Sequence, residues 1–183
     1  VGWLAHRQDR DLTIVTALLE EEVTREVPPN VINLPISYHF ELPFYEQVRI
    51  KVPSILSSLK ALYEDDPDEI LISSPGPRGL LGLAMARLLG AKCTGIYHTD
   101  FAAEAARITK DESLSAVVDE YSKWFYSLCH EIRVPTWEYM DILEARGYDR
   151  SKMTRFPRGI DTDLFAPRAS GARERLALGD GIT

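Results

Sequence analysis

The sequence predicts an α/β fold on a doubly wound parallel sheet, and two observations carry that prediction. Short β-rich runs alternate with apolar helical runs for most of the length, a pattern that requires parallel strands joined by right-handed crossovers. Helix-ending residues also fall where such a winding needs them: Pro67, Gly90 and Gly147 each close a helical run just before a β-rich one,.

Taken in order, Val1 to Arg10 reads as the tail of a helix, and Asp11-Leu12-Thr13-Ile14-Val15-Thr16 as the first strand,. Glu20 to Glu26 is charge-rich and reads as a solvated loop or short turn. Val31-Ile32-Asn33-Leu34 is a second strand, closed by Pro35,. From Ile36 to Gln47 the aromatic residues Tyr38, His39, Phe40, Phe44 and Tyr45, interrupted by Pro43, read as a long loop with apolar cargo,. Ile55, Leu56, Leu59 and Leu62 share helical spacing over Ser54 to Glu64, and Glu69-Ile70-Leu71-Ile72-Ser73 follows as a strand,.

Next comes the Gly/Pro loop Ser74-Pro75-Gly76-Pro77-Arg78-Gly79, then an apolar helix from Leu80 to Leu89, and the buried strand Lys92 to Tyr97,. In Ser113 to Leu128 the apolar set Leu114, Val117, Val118, Tyr121, Trp124, Phe125 and Leu128 follows steps of three and four. The spacing predicts a helix whose aromatics face the core, with Asp119, Glu120, Ser122 and Lys123 on its other side,. Glu131 to Pro135 is a strand, Thr136 caps a helix from Trp137 to Arg146, and Met153-Thr154-Arg155-Phe156 is the last strand,. About six strands result. Ala169 to Thr183 is a polar tail that reads as an exit helix or linker, and both ends read as trimmed.

With 183 residues, 45% hydrophobic and 27% charged, the chain suits one globular domain with a real core,. The net charge of -7 is spread along the chain without a basic stripe, which speaks against binding nucleic acid. Cys93 and Cys129 offer neither a metal spacing nor a disulfide framework, and a reducing, cytoplasmic setting fits them best,. No apolar run approaches the roughly 20 residues of a membrane span. The expected protein is therefore without a transmembrane segment, with peripheral membrane contact left open.

The strongest functional signal is Gly95-Ile96-Tyr97-His98-Thr99-Asp100-Phe101, where a strand ends in a histidine, a hydroxyl and a carboxylate. In open parallel sheets ligands collect beyond the carboxyl ends of the strands, where these three emerge. The alternative is that His98 and Asp100 bond loop backbone and cap the next helix. The Ser74 loop has phosphate- or hydroxyl-binding geometry at a helix N-terminus, but it has neither a Walker ending nor a complete Gly-x-Gly-x-x-Gly, so a plain strand-to-helix turn stays open beside it. His6, His39 and His130 are scattered, and His130 reads as structural.

Three segments in order, Ser74-Pro75-Gly76-Pro77-Arg78-Gly79, Tyr97-His98-Thr99-Asp100-Phe101 and Arg158-Gly159-Ile160-Asp161-Thr162-Asp163-Leu164-Phe165, together resemble the N-terminal domain of family 4 retaining glycosyltransferases. The third is similar to the family's Asn/Arg-Gly-Val-Asp-x-x-x-Phe segment. The resemblance runs from Asp11 to Pro167, and its nearest branch transfers hexoses to lipid or polyol acceptors.

The resemblance implies the GT-B architecture, two Rossmann-like domains facing across a cleft, with the sugar nucleotide held mainly by the C-terminal one. Residues 1–168 would then be the acceptor-side domain, its first strand missing, and 169–183 the link toward a second domain. The Glu-x7-Glu segment of that second domain is not found, nor is the glycine-rich loop after the first strand. The implied activity is transfer of a hexose from a nucleoside-diphosphate sugar to a lipid, polyol or saccharide hydroxyl, without metal or other cofactor, and inactive without the second domain. His98 would lie beside the transferred sugar. Asp100 would orient His98, meet an acceptor hydroxyl or cap a helix. Ser74, Pro75, Gly76 and Thr99 would line the substrate. Arg158 and Gly159 would approach a phosphate or form a domain-junction turn. Competing readings are a stand-alone flavodoxin-shaped module that binds a phosphorylated small molecule through the Ser74 and His98 loops, and a GT-B sugar-nucleotide epimerase.

Overall fold

The computed structural model describes residues 11–23, 26–42, 45–157 and Gly159. The segments expected at Val1 to Arg10, Ile160 to Phe165 and Ala169 to Thr183, and the candidate Arg158, lie outside the described residues. Eight strands and five α-helices are described. The strands are β1 (Ile14–Thr16), β2 (Val31–Asn33), β3 (Ile36–Leu42), β4 (Tyr45–Pro53), β5 (Glu69–Ile72), β6 (Lys92–Ile96), β7 (Glu131–Val134) and β8 (Met153–Arg155). The helices are α1 (Ile55–Asp65), α2 (Pro77–Leu89), α3 (Phe101–Thr109), α4 (Glu112–Ser127) and α5 (Trp137–Ala145).

Strands β5, β6, β7 and β8 form a parallel sheet in that spatial order, and β1 and β2 form a separate parallel pair. The parallel sheet flanked by helices is the fold class that the alternating pattern predicts. Because each strand is followed in space by the next in sequence, crossovers of one hand lay their helices on one face. The core shows this: Ile72, Cys93, Tyr97, Ile132, Val134 and Met153 from the strands meet Leu83 and Ala86 of α2, Phe125 and Tyr126 of α4, and Met140 and Leu143 of α5. The opposite face carries Glu69, Leu71, Lys92, Thr94, Glu131, Arg133 and Thr154 in register. Lys92 bonds Glu131 at 2.5 Å, Thr94 bonds Glu69 at 2.6 Å and Thr154 bonds Glu131 at 2.7 Å, so this face is held by a polar ladder.

Two expectations are corrected. Ile36 to Leu42 and Tyr45 to Gln47 are strand, not loop: β3 and β4 form an antiparallel hairpin, with Tyr38 opposite Val52 and Phe40 opposite Ile50, while Pro43 and Phe44 lie outside the described residues. The period of two in Ile36, Tyr38, Phe40 and Leu42 is a strand signal,, and in the sequence Pro43 interrupts it only after Leu42. Ion pairs of Arg49 with Glu21 and of Lys51 with Glu22 fasten the hairpin to the 3-10 turn Glu20–Glu22.

The apolar stripe of α4 is core only in part: Phe125 lies in the core cluster and Leu128 packs against it, while Leu114, Val117, Tyr121 and Trp124 are exposed. Val117 is 65% exposed and Trp124 51%, whereas Phe125, Tyr126 and Ser122 are buried. Apolar residues occupy more of this helix than one face holds. The buried side is set by Phe125 and Tyr126 against β6, and Ser122, assigned to the polar side from the sequence, turns inward with them.

Local signals placed the other elements well. The Thr136 hydroxyl accepts from the Tyr139 amide to start α5, and Gly147, at φ 89°, follows its end. His130 is structural as expected, since its Nδ1 accepts from the Cys93 amide at 3.0 Å. The Cys93 and Cys129 sulfurs lie 3.8 Å apart, buried among core residues.

Candidate functional site

The candidate site is the row of segments that leave the carboxyl ends of β5, β6, β7 and β8. At β5 the chain turns from strand to helix within Ser73 to Gly76, and α2 begins at Pro77, three residues earlier than its apolar run suggests. Proline suits that first position because its missing N–H would have no partner there. Gly79 is what lets the turn close: a Cβ at 79 would stand 2.0 Å from the Ser74 carbonyl oxygen. Pro75 is buried, while Ser74 and Gly76 are half-buried. Gly76 caps the helix without a side chain, so among the described residues no side-chain cap serves the first-turn amides of α2. Arg78 in that turn donates to the Ala17 carbonyl at 3.5 Å, which brings a guanidinium between the end of β1 and the start of α2. The Tyr121 hydroxyl of α4 donates to the Pro75 carbonyl and ties this loop to the next crossover.

At β6 the strand passes through Tyr97 into His98, Thr99 and Asp100. His98 and Thr99 are exposed. On one side of them Tyr97 is only 2% exposed. Its ring lies 5.3 Å from that of Tyr126, 5.9 Å from Tyr139 and 5.8 Å from Tyr148. Burial, followed by the charge of Asp100, pushes the Tyr97 phenol well above its ordinary range, so it stays neutral,.

On the other side Asp100 caps α3 by accepting from the Ala103 amide at 3.1 Å. Its second oxygen accepts from Arg146 Nη2 at 2.8 Å and from the Tyr139 hydroxyl at 3.3 Å. Burial alone would raise the Asp100 carboxyl. The Arg146 hydrogen bond, the Ala103 amide and the Arg146 charge together outweigh it and hold the carboxyl below its usual value. The capping alternative for Asp100 is thus realised, together with an ion pair that the sequence did not announce.

Of the sequence candidates, the structure gathers His98, Thr99 and Asp100 on one loop, and Ser74, Pro75 and Gly76 on the neighbouring one. Gly159 is exposed, past the end of β8, with nothing among the described residues within 4 Å of where a Cβ would stand. Arg78, Tyr121, Tyr139 and Arg146 were missed as site residues. Arg78 was legible, since a cation in the first turn of a helix that begins at a strand end faces the same crevice. The other three come from later crossovers, and no local pattern marks them.

At the other end of the sheet a depression of about 510 Å³ is lined by Arg87, Gly90, Ser127, Cys129, His130 and Lys152 among others. Its cations serve helix ends: Lys152 donates to the Ser127 and Cys129 carbonyls and Arg87 to that of Leu128. That is C-terminal capping chemistry. Among the described residues, no group of three or more His, Cys, Asp or Glu could hold a metal ion, and no helix is long and apolar enough to cross a membrane.

The chain is 32% identical over 114 residues to a GDP-mannose-dependent alpha-mannosyltransferase of Mycobacterium tuberculosis, a match that covers 61% of this chain and 29% of that protein. It is 27% identical over 148 residues to a GDP-mannose-dependent alpha-mannosyltransferase of Corynebacterium glutamicum, covering 81% of this chain and 34% of that protein. The chain therefore spans about a third of the length of the curated relatives it matches. A sequence profile of the family described as Glycosyltransferase Family 4 matches residues 4–164. With strand-end loops in place and nearly the whole chain inside that match, this chain belongs to Glycosyltransferase Family 4.

Proposed function

We propose that this chain is the acceptor-side half of a retaining hexosyltransferase that moves a sugar from a nucleoside-diphosphate donor to a hydroxyl acceptor. Mannose from GDP-mannose is the donor favoured by the two relatives. The acceptor is a lipid, polyol or saccharide, and the reaction needs a second domain that supplies most of the donor contacts. The observation that carries this reading is the loop after β6: His98 and Thr99 stand exposed between the buried Tyr97 and the ion-paired Asp100, at a sheet end in a family 4 chain.

In this reading His98 donates or accepts hydrogen bonds at sugar hydroxyls, and Thr99 does the same at the acceptor. Such contacts accelerate transfer when they tighten as the sugar acquires oxocarbenium character. Asp100 keeps its charge and its bonds to Arg146 and Ala103, so its part is to hold the loop, not to attack the sugar. Ser74, Pro75 and Gly76 present the open amides of α2 to a polar group of the substrate, where the helix dipole favours negative charge. Arg158 and Gly159 are assigned to the donor phosphates, a role in which a guanidinium and an uncovered backbone both suit an anion.

The test is His98→Ala in the full-length protein, assayed for transfer from GDP-mannose. The expected result is a loss of about 100-fold or more in turnover, with the thermal unfolding midpoint kept. A fall in activity that merely follows a loss of folded protein would leave His98 a structural residue and overturn the reading.

A further inference from the structure

Two exposed residues, His98 and Thr99, are suspended between two fixed points, and the two points are fixed differently. Tyr97 is held by packing: three tyrosine rings surround it, its amide donates to the Arg133 carbonyl at 2.9 Å, and the Tyr126 hydroxyl bonds the carbonyl of Ile96 just before it. Asp100 is held by charge, and the charge comes from Arg146, 46 residues further along, at the C-terminal end of α5. We propose that Arg146 is a positioning residue of the transfer reaction, fixing the Tyr97 to Asp100 loop so that His98 meets the sugar in a single arrangement. The inference rests on the reading of His98 given above.

The placement of Arg146 supports this role beyond a single ion pair. Nη2 bonds Asp100 at the N-terminus of α3, while Nη1 lies 3.7 Å from Asp119 in the middle of α4. Asp119 also accepts from the Tyr148 hydroxyl at 3.2 Å, and Tyr148 is one of the rings around Tyr97. One guanidinium thus links three helices to the strand end that carries His98. Among the described residues Nη1 is buried without a hydrogen-bond partner, so its hold on Asp119 is electrostatic. A cation placed between two carboxylates in a partly buried site is costly to misplace, because removing it leaves carboxylates without compensation. Lysine would not replace it: an ammonium is a point charge, and only the fork of arginine spans both partners.

The consequence is catalytic because pre-organisation depends on small distances. A displacement of about 1 Å at a substrate-contacting group costs on the order of 100-fold in rate. Without Arg146 the Ala103 cap on Asp100 remains, so α3 still starts where it does, while the loop before it gains freedom.

The experiment compares Arg146→Lys and Arg146→Met with Arg150→Ala in the full-length protein. Arg150 is a control on an outer ion pair with Asp141. Turnover, KM for donor and acceptor, thermal unfolding and the His98 imidazole carbon-proton resonance are all recorded. Both Arg146 variants are expected to lose about 10- to 100-fold in kcat with KM within about twofold. Their His98 resonance should broaden or split, and Arg150→Ala should leave every readout in place. Wild-type kcat in Arg146→Lys, or a kcat that falls only with the folded fraction beside one sharp His98 resonance, overturns the inference. The resonance separates the two claims: if His98→Ala leaves transfer intact, the sugar-contact reading falls, while the His98 line shape in the Arg146 variants still decides whether Arg146 fixes the loop.

Discussion

The ring of Tyr126 packs against Gly95 so closely that a Cβ at 95 would stand 2.8 Å from ring carbon Cδ1 and 3.1 Å from the Cys129 sulfur. That contact lets α4 approach β6 and lets the Tyr126 hydroxyl reach the Ile96 carbonyl at 3.2 Å, one residue before Tyr97.

Gly95→Ala should therefore destabilise the protein by about 1 to 3 kcal/mol, the cost of adding a methyl group to a filled interior. The ring cannot yield outward without losing its contact with Tyr97, and Phe125 packs against it edge-on at 5.4 Å. Urea unfolding measures the effect directly. A variant as stable as the parent would mean that α4 can slide off the strand without penalty.

The rotation of α4 sets up a contrast between neighbouring residues. Phe125→Ala should cost about 3 to 5 kcal/mol, because it empties a buried site in the core cluster,. Val117→Lys should change stability by no more than about 0.5 kcal/mol, since its side chain faces solvent in this chain,. Equal and large losses for the two would restore the single buried face that the spacing of apolar residues suggests.

These elements show where sequence is informative and where it is not. Caps and breakers act locally, so Thr136, Gly147 and Gly90 marked helix ends that the structure keeps. The strand end at Tyr97 to Asp100 was readable for the same reason, because polar residues after an apolar run are a local signal. The choice of buried face on α4 is not local. It depends on Gly95, 31 residues from Tyr126, leaving room for a ring. The partners of Asp100 are equally remote: Tyr139 and Arg146 are brought to it by the return of the chain through β7 and α5, and nothing near either residue announces the pairing. The hairpin is a different case, since its period of two is a local signal that Pro43 interrupts only after Leu42.

Acid sensitivity follows from the polar face of the sheet. Glu131 accepts from Lys92 at 2.5 Å, from Thr154 at 2.7 Å and from Arg133 at 3.2 Å. The Lys92 bond first, then that of Thr154, lower its carboxyl to about 2 from an ordinary value of 4.5. A depressed carboxyl binds fewer protons folded than unfolded, so stability must rise with pH across the interval between the two values. The contribution of Glu131 is therefore complete above about 4.5 and is lost as pH falls toward about 2. Asp100, also depressed, adds to the loss in the same direction. Because the Glu131 ladder is partly open to solvent, salt should weaken it. Denaturant unfolding of the parent and of Glu131→Gln at a series of pH values provides the check. The parent should lose stability between pH 4.5 and 2, and the variant should show a shallower slope over that range with a lower plateau above it. Parallel pH profiles for the two proteins would show that the Lys92–Glu131–Thr154 ladder contributes nothing to acid stability.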